Sequence, residues 1–471
     1  MAGVYDLLII GAGSAGLTAA GFARQLGVRV ALVEKGRVGG DCTWTGCVPS
    51  KTLLKVAKVA QQMRTADRFG LHPSEPAVDL GRVMAHVREV VEAIYAEESP
   101  AALEADGIEV IQGAARFLDP HTLRVGERTV SARRLLIATG AGPALPPIPG
   151  LAEIKPQTYE TVWRLATLPR RLLVLGGGPV GCELGQAFRR LGSEVVLVDG
   201  AERLLPREEP EASRVVEEVL RAEGVEVLVG AQVVKAWCDA VGVHLPAGEQ
   251  TVTGDVLLVA TGRRANLARL DLEKAGVAYT AEGISVDGYL QTSQSHIYAA
   301  GDCTGGPQFT HYAAWQAFMA TRNALLPGRA AGVSTNVPWA TFTDPEVAHV
   351  GLSEAEARRR HGEDVATCDW PLAKVDRART DGNVVGFVKL VHRKDGRLLG
   401  ATMASERAGE AIQEWVVAIE RGLKVGDLAN VIHIYPTYAT ANMQAAAAIR
   451  VQQLLSGTSG AVIRGLSRLV R

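Results

Sequence analysis

The feature that most constrains how this chain can fold is a unit that occurs twice. From Tyr5 to Glu34 an apolar run, YDLLII, enters the turn GAGSAG, a helix-spaced stretch follows, and a second apolar run, RVALVE, ends in an acid. From Arg171 to Asp199 the same order returns as RLLVL, GGGPVG, a helix-spaced stretch and EVVLVD. Each reads as a β-α-β unit with a glycine-rich first turn. The glycines have separate tasks: one permits the tight turn, one lets the backbone approach a pyrophosphate, and one lets helix and strand pack closely. They are Gly11, Gly13 and Gly16 in the first copy and Gly176, Gly178 and Gly181 in the second. Glu34 and Asp199 stand at the same offset from their first glycines, where a carboxylate can accept hydrogen bonds from ribose hydroxyls. One such turn alone could be a plain connection between strand and helix. Two in full context predict two dinucleotide sites, each with a helix N-terminus facing the phosphates.

A chain of 471 residues needs more than one core, so two to four domains are expected. Lys and Arg number 50 against 51 Asp and Glu, with no long run of either sign, which argues against a nucleic-acid groove or a polybasic membrane patch. No apolar run is long enough to span a bilayer, and the start lacks the regions of a secretion signal. A cytoplasmic location is expected.

Three further strands run into tight turns: LLIATGA at Thr139 and Gly140 and VLLVATGRRAN at Gly262 and Arg263, which could also be ordinary strand ends, and HIYAAGDC at Gly301 and Asp302. A helical stretch after Asp302 would present its N-terminus to a ligand. The Pro-rich stretch from Pro143 to Pro149 reads as a linker, because prolines there stop regular structure, and places a boundary near Gly150. Beyond about Asn336, extended segments such as GNVVGFVKLVHR and RLLGATMAS precede helical patterns, which predicts an α+β domain. The expected division is 1–150, 151–270, a return to the first unit over 271–335, and 336–471.

Of six cysteines, Cys182, Cys238, Cys303 and Cys368 are scattered singly, while Cys42 and Cys47 are close. An isolated close pair in a cytoplasmic protein points to a metal or to catalytic thiol chemistry. No second pair or clustered histidines complete a zinc set, so no metal site is expected and redox chemistry is the better reading. Positions five apart on a regular helix have α-carbons roughly 8 to 9 Å apart, beyond the reach of a disulfide. The helix must be distorted or not yet begun there; Gly46 gives the backbone freedom, and Pro49 is tolerated in a first turn.

The string GGDCTWTGCVPSK, placed after the first glycine turn, resembles the signature of the pyridine nucleotide-disulfide oxidoreductases, the flavoenzymes that include dihydrolipoamide dehydrogenase, glutathione reductase and mercuric reductase. The resemblance covers essentially the whole chain. It implies two Rossmann-like domains, for FAD and for NAD(P), and a C-terminal α+β dimerisation domain of a homodimer. By it, Gly11, Gly13, Gly16 and Glu34 hold the adenosine half of FAD, Asp302 binds on the ribitol side, and Gly176, Gly178 and Asp199 hold the nicotinamide nucleotide. Ser14, Lys35, Gly40, Thr139, Gly140, Gly181, Gly262, Arg263 and Gly301 complete the expected cofactor-binding set. Cys47 is implied to be the thiolate beside the flavin, Cys42 the outer thiol, and Lys51, paired with Glu183, the cation near the ring.

The C-terminus departs from that pattern. Lipoamide and glutathione reductases carry a His-Pro-Thr segment whose histidine, oriented by a glutamate, shuttles a proton to the leaving thiol. Here the segment is HIYPTYAT, with Tyr435 in place of the histidine and Thr440 in place of the glutamate. Tyr435 and Tyr438 are the candidates through which one chain completes the other's site, and His433 reads as structural. A tyrosine titrates about three units too high for an efficient base near neutrality. Mercuric reductases also lack the dyad, and DPEVAHVGL and VDRARTDGNVVGFVKL look like that branch, so Hg(II) is the expected oxidant. No cysteine follows Cys368, so transfer to Cys42 would be direct. Reduction of a disulfide, a quinone or a reactive halogen species, or lipoamide turnover, is the runner-up, and a redox-sensing flavoprotein a reading of another class. NADH is favoured over NADPH, because Asp199 repels a 2′-phosphate although Arg203 and Arg207 follow.

Overall fold

The computed structural model describes residues 4–469, so the outer ends of the first and last expected ranges lie outside the described residues. Strand Tyr5–Ile10 lies between Val30–Glu34 and Arg128–Ile137, parallel to both, with Leu7 opposite Val30 and Arg134. Glu109–Gln112 extends one side, and Ile297–Ala299 pairs in parallel with the far strand, so the chain returns to its first sheet late in its course. Leu7, Leu8 and Ile9 are buried on both faces, which is why these strands read as continuous apolar runs. Helices Ser14–Gln25 and Thr310–Leu325 cover one face through Ala15, Ala19, Ala317 and Ala320, whose small side chains let backbones approach. Phe117, Leu123, Leu270 and Leu272 cover the other.

A second parallel sheet orders Glu226–Leu228, Glu194–Val198, Arg171–Leu175 and Val256–Val259. Its helix Pro179–Leu191 shares one core with helix Cys47–Arg64: Cys182, Leu184 and Phe188 pack in the same cluster as Leu53 and Ala57. A two-stranded ladder, Ala141–Pro143 against Arg263–Ala265, ties the two sheets together. Pro143 therefore ends a strand rather than beginning a linker, which an edge strand tolerates, and 144–149 forms neither helix nor strand.

The C-terminal unit is an antiparallel sheet in the order Trp339–Thr341, Glu346–Gly351, Leu398–Ser405, Phe387–Arg393 and Val365–Pro371. Trp415 is enclosed beneath helix Thr440–Leu455 and donates its indole N–H to Asn442 Oδ1 at 2.8 Å. The strand Val365–Pro371 escapes the sequence pattern because VATCDWP lacks an apolar run. The architecture is α/β, two dinucleotide-binding units followed by an α+β unit, and no helix among the described residues is long and apolar enough to cross a membrane.

Candidate active site

Gly11 and Gly176 have φ of +107° and +116°, a region that favours glycine. A Cβ on Gly16 would fall on the carbonyl oxygen of Gly11, and one on Gly181 on that of Gly176. The two turns are therefore the same device twice. Glu34 accepts the N–H groups of Ala12 at 2.8 Å and Gly36 at 2.7 Å, while Asp199 accepts those of Gly177 and, at 2.7 Å, Ala201. Each carboxylate is thus fixed at the mouth of its turn.

Both turns open on one cavity of about 2280 Å³. Every site residue named from the sequence lines it except Gly16 and Gly181, which lie behind the turns, and Tyr435 and Tyr438. Thr139 Oγ1 and Arg263 Nε are buried there without hydrogen-bond partners among the described residues, and a Cβ at Gly140, Gly178 or Gly262 would meet open space. Buried polar atoms are rarely left unpaired. Orphaned donors around a cleft of this size fit a large polar cofactor, and FAD matches them.

The cysteine pair sits where two helices fail to join. Cys42 lies in the short helix Gly40–Trp44 and Cys47 opens helix Cys47–Arg64. Between them the N–H groups of Thr45 and Gly46 both donate to Asp41 O, at 2.9 and 2.5 Å, which closes the turn and brings the thiols within hydrogen-bond reach of each other. The contact splits their acidities. The Cys42 hydrogen bond is the largest cause lowering the Cys47 thiol to about 6, against burial, and the Thr310 hydroxyl at 3.3 Å and the Lys51 charge assist. The same contact and burial push Cys42 up. One proton stays on Cys42 and the negative charge on Cys47, the state a nucleophilic or metal-binding thiolate needs.

Lys51 Nζ lies 2.9 Å from Glu183 Oε2 and 4.4 Å over the Phe342 ring. Glu183 is 5% exposed, and its other oxygen accepts the Phe342 N–H at 2.8 Å. A buried carboxylate persists because both oxygens are satisfied. Lys51 is held at the junction of all three units.

Three residues here escape the sequence reading. Asp41 accepts the Tyr159 hydroxyl at 3.1 Å and an Arg263 N–H at 2.6 Å, and Arg263 also pairs with Asp302 at 3.2 Å. This chain of contacts fixes the segment before Cys42 to the wall of the cavity. Asp41, a charge inside the cysteine motif, was the available signal for it, and Thr310 could have been sought at the predicted helix start; nothing local marks Tyr159.

The C-terminal candidates are not brought to the cysteines within one chain. The Tyr435 hydroxyl donates to Asp376 at 3.0 Å, and Tyr438 donates to Asp381 at 3.2 Å and Glu406 at 3.0 Å. Hydrogen bonding to Asp376 pushes the Tyr435 phenol up, and burial with the Glu406 and Asp381 charges does the same for Tyr438. His433 has Nδ1 at 3.0 Å from Val431 O and Nε2 at 2.7 Å from Glu414 Oε1. With both nitrogens engaged, it has none free for a substrate proton. Ile432 and Ile434 beside it are 98% and 82% exposed.

Residues 5–317 match the family model described as pyridine nucleotide-disulphide oxidoreductase, and 337–446 that of its dimerisation domain. A mercuric reductase of Staphylococcus aureus is 38% identical over 443 residues, covering 93% of this chain and 81% of the relative. A dihydrolipoyl dehydrogenase of Thermus scotoductus is 36% identical over 465 residues, covering 96% and 98%. Among solved structures, the HOCl-induced flavoprotein disulfide reductase RclA from Escherichia coli superposes with a TM-score of 0.84 at 30% identity, covering 94% and 99%, and its Cu(II) complex is similar too.

Proposed function

The chain belongs to the pyridine nucleotide-disulphide oxidoreductases, and on that premise we propose that it passes two electrons from NADH by way of FAD and the Cys42–Cys47 pair to Hg(II), releasing Hg(0). The observation that carries the choice of a metal ion is the surroundings of the sulfurs. Among the described residues the side-chain hydrogen bond made by either sulfur is that of Cys47 Sγ with the Thr310 hydroxyl at 3.3 Å; the other thiol and the Ser14 hydroxyl act on them from nearby, and no imidazole or carboxylate hydrogen-bonds to them. A disulfide substrate needs a proton for each leaving thiolate, whereas a soft cation held by two thiolates needs none.

FAD, when bound, supplies the two-electron step between nicotinamide and sulfur. Gly11, Gly13, Ser14, Gly16, Glu34, Lys35 and Gly40 would hold its adenosine and phosphates, and Thr139, Gly140, Gly262, Arg263, Gly301 and Asp302 its other half. Gly176, Gly178, Gly181 and Asp199 would hold NADH. Asp199 disfavours a 2′-phosphate, and Arg203 is already spent on Ser213 Oγ at 3.0 Å and Pro206 O at 2.9 Å. Lys51, steadied by Glu183, sets a positive charge beside the Cys47 thiolate, and Cys42 meets the incoming ion. The ranges 1–150 with 271–335 for FAD, 151–270 for NADH and 336–471 for dimerisation belong to this reading, as does a second copy that brings Tyr435 and Tyr438 to the site.

A second reading, reduction of a disulfide, is favoured by the likeness to the flavoprotein disulfide reductase RclA, of which a Cu(II) complex is also solved, over nearly the full length of both chains. Anaerobic NADH oxidation with Hg(II), Cu(II), glutathione disulfide and lipoamide, with volatile mercury collected, separates the two. Mercury vapour formed at the rate of NADH loss, and abolished in Cys42→Ala, supports the metal substrate. Inhibition by Hg(II) alongside disulfide turnover removes it.

A further inference from the structure

Glu208 follows the second nucleotide-binding strand and immediately precedes helix Pro210–Ala222 and its N-cap, Glu209. It is 4% exposed and lines the large cavity together with Trp339 of the C-terminal sheet. Trp339 Nε1 donates to Glu208 Oε1 at 2.5 Å, while Oε2 is buried with no hydrogen-bond partner among the described residues.

The charged groups around it do not supply one. From its own segment, Arg203 is engaged by Ser213 and Pro206, and Glu209 accepts the Glu354 N–H at 2.6 Å and faces Lys389 at 3.2 Å. Lys389, on strand Phe387–Arg393, is further taken up by Glu211 and Glu354. Under Trp339, His349 has Nδ1 on Thr402 Oγ1 and Nε2 on Gly351 O, and burial pushes its imidazole down, towards the neutral form. Exposed Arg207 lines the same cavity.

An ionised carboxylate with one oxygen buried and unmatched is costly, whereas the acid form places a hydroxyl at that oxygen. Burial pushes the Glu208 carboxyl up to about 7. The hydroxyl then needs an acceptor, and a dinucleotide is rich in phosphate, ribose and carboxamide oxygens. We propose that Glu208 binds the nicotinamide nucleotide in its protonated form: Oε1 holds the Trp339 indole, Oε2–H donates to an oxygen of the nucleotide, and binding takes up a proton. The proposal rests on the reading of this groove as the nicotinamide nucleotide site.

Linkage sets the sign. Uptake leaves affinity flat below the carboxyl's value in the free protein and lowers it above, by at most about tenfold per pH unit. The test is calorimetric titration of the oxidised, FAD-loaded protein with NAD+ from pH 6 to 9, in buffers of different ionisation enthalpy. Wild type should take up close to one proton per nucleotide above pH 7 and lose about 25-fold in affinity between pH 6.5 and 8.5. Glu208→Gln, whose amide accepts from Trp339 and donates at every pH, should keep the low-pH affinity and lose the pH dependence. Glu208→Leu should bind about tenfold more weakly at pH 6.5. Equal pH profiles for wild type and Glu208→Gln, or binding without proton uptake, would overturn the proposal. Failure of wild type to bind NAD+ or NADP+ at any pH would overturn the groove assignment with it.

Discussion

Replacing Cys42 by alanine removes the largest of the interactions that hold the Cys47 thiol at about 6. A hydrogen bond to a charged group contributes about 1.5 to 3 kcal/mol, and about 1.4 kcal/mol corresponds to one pH unit. Cys47 should therefore rise by about one to two units, to between roughly 7 and 8, because Thr310 and Lys51 remain in place while burial continues to oppose the charge. At pH 7 the thiolate fraction would fall from roughly nine-tenths to between about a half and a tenth. The assay is a pH titration of the reduced protein and of the variant, followed by the long-wavelength thiolate-to-flavin absorbance and by the rate of Cys47 alkylation. Cys42→Ser, whose hydroxyl can still donate, should fall between the two. A Cys47 that still titrates near 6 in Cys42→Ala would refute the assignment and shift the cause to Thr310 and Lys51.

Lys389 is 2% exposed and faces Glu209, Glu211 and Glu354, so Lys389→Met should strand the buried Glu209 carboxylate and cost about 3 to 5 kcal/mol in urea unfolding; a loss under about 1 kcal/mol would mean those acids reach solvent or protons easily. Gly16→Ala should purify without yellow flavin, and Gly181→Ala should keep the flavin but lose nucleotide binding, because each new Cβ meets the carbonyl oxygen of its own turn; normal flavin content in Gly16→Ala contradicts this. Glu208, raised in the folded state, contributes stability below about pH 4.5 that is lost as pH rises through about 7. Glu208→Gln should therefore melt higher than wild type at pH 8, by up to about 3 kcal/mol, and not at pH 5; a difference independent of pH would reject the titration.

The parts of this protein legible in the sequence are those whose requirements fall on neighbours. Gly11 and Gly176 must reach positive φ, and Gly16 and Gly181 must pass under the carbonyls of residues five positions earlier, so the motif carries its own geometry. The break between Cys42 and Cys47 is likewise a local necessity, since a continuous helix would hold the sulfurs apart. Strands buried on both faces announce themselves as apolar runs, whereas Val365–Pro371, with Asp369 and Cys368 within it, does not.

What tertiary structure alone decided is which distant groups surround the thiols and in which protonation state they stand. Thr310 touches the Cys47 sulfur across 263 residues of sequence, and Lys51 is fixed by Glu183 from a helix of the second unit and Phe342 from the third unit. The sequence by itself determined two nucleotide turns and a thiol pair at a helix start, because those depend on backbone conformation over a few residues. The split between the two thiols, the engagement of both His433 nitrogens and the empty oxygen of Glu208 depend on desolvation and on donors delivered by other units, quantities that exist only once the three sheets have packed.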